Sequence, residues 1–140
     1  MPPARQLLAY TAALALLAMP RPAPAHHSYA MFDLTKTLAA SGTVAKFDWS
    51  NPHVFLWVYI PKPSQPAHSH GYDLFGFESG SPGTLERSGW SRDSISSGAK
   101  IRVQYSPLRD GRDGGSLISI IQPDGTLLVA RPSKPAGSRP

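Results

Sequence analysis

Five histidines are the residues in this 140-residue chain best suited to chemistry. His26 and His27 are adjacent, His53 follows Asn51-Pro52, and His68 and His70 flank Ser69. Imidazole is a good ligand for copper, zinc and nickel. The chain has no cysteine, so any metal site must be built from His, carboxylate or Met. His26 gains a second donor if the chain is cut just before it. It would then carry a free α-amino group, which loses its proton readily near neutral pH and can chelate a metal together with its own ring. A further imidazole from His27 or His53 completes a three-nitrogen site. Copper(II) suits such a site best, because it leads the affinity order for nitrogen ligands. The metal reading therefore names His26, His27 and His53, with copper as the cofactor. Solvated histidines in an arm are the plain alternative. His68 and His70 read as a surface loop.

Glu78 closes an apolar run, Phe75-Gly76-Phe77, and alternation places it on the face of Leu74. A carboxylate there needs a partner, and Arg92, Arg109 or a metal are the candidates. Phe47, Trp49, Phe55, Trp57 and Tyr59 offer a stacking platform of the kind small barrels use for ligands. The segment Arg109 to Gly115 reads as a tight turn. It has neither the acid spacing of a calcium loop nor the Gly-Lys-Ser/Thr ending of a phosphate loop. There is no Gly-x-Ser-x-Gly elbow, no reactive cysteine and no His-Glu-x-x-His, so the chain is expected not to be an enzyme.

The cut before His26 is itself legible. Arg5 precedes the uncharged run Leu7 to Met19, and Ala23-Pro24-Ala25 follows. A basic start, a short apolar core and an A-x-A site specify a signal peptide over 1–25. A 13-residue helix rises only ~20 Å, too little to span a bilayer. The mature protein is expected in the periplasm or outside the cell, with no transmembrane segment. A cut one residue earlier would place His27 third, which is also a chelating arrangement. Loss of Arg5 and Arg21 leaves 12 Lys and Arg against 9 Asp and Glu. So modest a charge does not imply a nucleic-acid partner. The partner stays open between a metal ion and another envelope protein.

The elements that must position these residues are short. Residues 26–36 form an arm without a period, 37–129 the domain, and 130–140 a basic Pro/Ser/Gly tail expected to be disordered. Strand runs fall at 38–49, 53–60, 72–79, 100–105 and 116–122, with a last short strand in Thr126 to Ala130. In the first, Ala45, Phe47 and Trp49 share a face. Gly42 suggests a bulge or bend. In the second, Val54, Leu56, Val58 and Ile60 oppose Phe55, Trp57 and Tyr59. Both faces are apolar, so this strand is expected to be covered on both sides. Ser81 as N-cap, Pro82 at the first position and Gly89 as stop bound one short helix. Strand, strand, strand, helix, strand, strand predicts an all-β fold with one short helix, an OB-like five- to six-stranded barrel.

The motifs HHSYAMFD, GTVAKFDWSNPH, FESGSPGTLERSGWSRDS and SPLRDGRDGG occur in that order. With them the chain resembles a family of small secreted proteobacterial proteins, a domain of unknown function, from about His26 to Leu128. The resemblance implies a signal peptide and an extracytoplasmic β-barrel-like domain. It brings no reaction, substrate or cofactor. Phe75 stands where the family pattern has Trp, Ala99 where an acid is usual, and the His68/His70 loop is particular to this chain.

Overall fold

A computed structural model describes residues 27–62 and 71–132, and for His27 and Ser28 the backbone alone. The signal segment, His26, the loop with His68 and His70, and the tail from residue 133 lie outside the described residues.

The chain runs α1 (His27–Ala30), β1 (Leu38–Asp48), β2 (Phe55–Pro61), β3 (Tyr72–Glu78), α2 (Pro82–Glu86), β4 (Lys100–Pro107), β5 (Gly114–Ile121) and β6 (Leu127–Val129). Antiparallel pairing sets the order β3-β2-β1-β4-β5-β6. A parallel pairing of β3 with β5 closes the first five strands into a barrel. This is the expected OB-like topology, with β6 as an extra strand and one helical turn, α1, ahead of it. Among the described residues no helix is long and apolar enough to cross a membrane.

β1 serves both sides of the barrel. Its first half, Leu38 to Thr43, pairs with β4, and its second, Thr43 to Asp48, with β2. Gly42 sits at the crossing, where an added Cβ would strike the Tyr59 carbonyl and the Val58 side chain. The bulge itself lies two residues on, between Val44 and Lys46. A bulge shifts the side-chain phase. Val44 therefore points into the core, as Trp49 does, and Phe47 packs against it. Phe47 and Trp49 share the core side as expected, and the bulge takes Ala45 out of that alternation.

Closure requires glycine. β3 and β5 meet at Gly76, Phe77 and Glu78 against Gly114, Gly115 and Ser116. A Cβ on Gly114 would overlap the Gly76 carbonyl, and one on Gly115 the Ser106 carbonyl. The core inside is aliphatic and aromatic: Val54, Leu56, Val58, Phe77, Val103, Leu117 and Ile120 are all buried. Phe77 and Tyr105 meet at 4.9 Å between ring centroids. Burial, with Asp113 nearby, pushes the Tyr105 phenol above its ordinary pKa.

α2 closes one end. Ser81 caps it, its hydroxyl accepting from the Thr84 amide, and Leu85 is fully buried. Gly89 holds a φ of 84° after it, as a stop residue should. Trp90 is 2 % exposed and donates from Nε1 to the Val129 carbonyl at 2.9 Å, tying this end to β6.

Candidate functional site

The outer face of β2 and β3 carries the chemistry. Register pairs Phe55 with Glu78, Trp57 with Gly76, and Tyr59 with Leu74. Side chains of one face alternate with the core set, so Leu56, Val58 and Phe77 point inward while Phe55, Trp57, Leu74 and Glu78 point outward. Phe55 and Trp57 stack with centroids 6.0 Å apart and planes 19° apart. The Trp57 ring lies over Gly76, where an added Cβ would come 2.8 Å from Cζ3. The expected platform is thus smaller. Phe47 and Trp49 belong to the core side, and Phe55, Trp57 and Tyr59 remain. Tyr59 is 46 % exposed, so β2 is covered on one face and only partly on the other.

His53 stands at the head of this face. The chain leaves the Asn51-Pro52 turn, and backbone bonds from Val54 to Gly80 and from Ser79 to Val54 extend the β2–β3 ladder past its formal end. His53 Nδ1 lies 2.5 Å from Glu78 Oε1. Both side chains are partly buried. This pairing corrects the expected partners of Glu78. His53 was not among the partners expected from the sequence. Arg109 donates from Nε to the Ala30 carbonyl at 3.2 Å.

That last contact belongs to the arm. Phe32 is 3 % exposed and forms an isolated antiparallel bridge with Leu108. The Arg109 amide donates to the Met31 carbonyl at 2.9 Å, and the Asp33 amide to the Pro107 carbonyl at 2.8 Å. Asp33 in turn accepts from the Thr35 hydroxyl and pairs with Lys36. These contacts, the Thr35 hydroxyl first, lower its pKa to about 2. The arm and the β4–β5 loop so wall a groove of about 390 Å³, floored by Phe55, Trp57 and Leu74 and bounded by Met31, Arg112 and Asp113; Glu78 is at its margin. The loop is the tight turn expected. Asp110 accepts from the Arg112 amide, and Gly111 holds a φ of 77°. α1 lies near the same end, since Tyr29 lines a second, smaller cavity with Ser79 and Gly80.

Of the metal-reading residues, the structure places His53 and the backbone of His27; His26 lies outside the described residues. Among the described residues no three potential metal ligands cluster. Sequence reasoning missed the His53–Glu78 pair, although it placed Glu78 on the face of Leu74 and sought a partner for it. It also missed Arg131, which falls in the segment expected as tail. Ala130 and Arg131 both bond the Ile118 carbonyl, and Ala130 is buried. The alternation of small polar and apolar residues in β5 gave no sign of this.

No curated protein and no solved structure matches the chain. A family model does, over residues 13–117, most of the sequence. The chain belongs to that family, a family of unknown function, DUF6152.

Proposed function

We propose that this protein is an exported binding module whose site is the His53 end of the outer β2–β3 face, with a copper(II) ion as its ligand. The observation that carries the reading is the His53–Glu78 contact. A metal-binding histidine is commonly oriented by a carboxylate on its other ring nitrogen. With Nδ1 turned to Glu78, Nε2 is the nitrogen left for a metal. His26 and His27 are the remaining donors, and the arm that carries them is anchored by Phe32 beside the same groove.

The test uses the protein as exported. Intact mass fixes the N-terminus, and Cu(II) and Zn(II) are then titrated. Cleavage after Ala25 and sub-micromolar Cu(II) binding are expected, weakened at least tenfold in His53→Ala and in His26→Ala/His27→Ala. Micromolar or weaker binding that the double variant leaves unchanged overturns the metal reading.

A second reading has its own observation. The buried Phe32 and its bridge to Leu108 make the arm part of the folded domain. That suits a structural or protein-interaction module of the cell envelope with no metal. Unchanged, weak metal binding together with a docked arm would favour it.

A further inference from the structure

A second cavity, of about 230 Å³, lies between the arm, the end of β3, α2 and the residues after β6. Tyr29, Ser79, Thr84, Ser88, Ser116 and Arg131 line it. The guanidinium of Arg131 donates from Nε to Ser116 Oγ at 3.1 Å and from Nη2 to Ser106 Oγ at 2.7 Å. Both serines are deeply buried, and the Ser106 hydroxyl donates a hydrogen bond to the Lys36 carbonyl at 2.9 Å. The cation is thus fixed by two neutral hydroxyls. Among the described residues no carboxylate pairs with it, and its Nη1 bonds nothing. Arg131 is partly buried, and even partial removal of a cation from water disfavours its charged form. Burial accordingly lowers the Arg131 pKa, with the Tyr29 phenol opposing.

A second observation points the same way. Ser79 is 9 % exposed and lines this cavity, and among the described residues its buried hydroxyl has no hydrogen-bond partner. Buried hydroxyls are nearly always satisfied. A serine needs only a χ1 rotation to redirect its donor. Beside the lining residue Thr84, Arg87 donates to its hydroxyl at 3.3 Å and brings a second positive charge to this side. The wall therefore presents cationic and hydroxyl donors to one space. At about 30 Å³ for each water, that space holds roughly eight waters, which is small for a drug-sized ligand and ample for a phosphate or short carboxylate.

We infer that this cavity is a binding site for a small oxyanion or carboxylate, held end-on by the Arg131 guanidinium and by the hydroxyls of Ser79 and Thr84. Guanidinium favours such planar or tetrahedral anions because its paired N–H groups match their oxygens. The lining residues are distinct from those of the groove.

Inorganic phosphate and acetate are titrated into the ¹⁵N-labelled mature protein, with chloride at matched ionic strength as the control. Saturable amide shifts confined to Ser79, Thr84, Ser116 and Arg131 are expected, with affinity at least tenfold weaker in Arg131→Gln. Ser88→Asp supplies a carboxylate from the exposed wall without touching the core. It is expected to abolish the phosphate response and to raise the melting temperature in phosphate-free buffer. A response to phosphate no greater than to chloride overturns the proposal. So does a phosphate response that Ser88→Asp leaves intact, a variant that stays informative if Arg131→Gln does not fold.

Discussion

His53 Nδ1 and Glu78 Oε1 lie 2.5 Å apart, although 24 residues of sequence separate them. The contact joins the turn before β2 to the last residue of β3, at the point where Phe55 faces Glu78 across the ladder. It fixes the orientation of one imidazole at the rim of an aromatic groove.

If that orientation serves a metal, Glu78 is a positioning residue. Glu78→Gln is expected to lower Cu(II) affinity about 10- to 100-fold, the usual cost of removing such a support. The fold should persist, as judged by unchanged near-ultraviolet circular dichroism. Equal affinity in variant and parent would show that Glu78 does not support a ligand.

Phe32 is the anchor of the arm. Phe32→Ala removes a buried ring and should cost roughly 3 kcal/mol. The loss is expected to fall on the arm first. Limited trypsin digestion should cut at Lys36 early, while the amides of β4 and β5 keep their exchange protection. Simultaneous loss of protection throughout the barrel would make the arm part of the cooperative core.

Glycine decides closure at β3 and β5. Gly115→Ala would drive a methyl into the Ser106 carbonyl, which is backbone and cannot swing away. A cost on the order of 3 kcal/mol is expected, lowering the melting temperature by about 15 °C. Gly83→Ala is the opposite case. It sits in α2 with only the Arg87 guanidinium near, at 3.9 Å, and should stabilise by about 0.5–1 kcal/mol through helix propensity. A thermal melt of each distinguishes the two.

The arm should loosen in acid. Asp33 has its pKa lowered from 3.8 to about 2. A carboxyl with a depressed folded-state pKa stabilises the fold above its unfolded value, and that contribution is lost as pH falls through the folded one. The window is therefore about pH 4 down to about pH 2. The Asp33 carboxyl resonance should titrate near 2, and hydrogen exchange at the Asp33 and Arg109 amides should quicken over the same range. Asp33→Asn should remove that pH dependence.

The sequence by itself determined the elements. Alternating apolar residues marked β1 to β5 to within a few positions, and the Ser81-Pro82 start marked α2, because a strand's two-residue period and a helix cap are local properties. Their order was enough to specify an OB-like barrel. Alternation also put Glu78 on the face opposite Phe77, as the structure has it. It failed in β1, where the bulge after Val44 reset the phase, since a bulge depends on the partner strand rather than on the strand's own residues. The tertiary structure alone decided the meetings: His53 with Glu78, Phe32 with Leu108, and Arg131 with Ser106 and Ser116. Each joins segments far apart in sequence, and each depends on strand register, which long-range packing and closure set together. The chemistry-bearing residue types were visible in the chain. Which of them touch was fixed only by the pairing of strands and arm in the folded barrel.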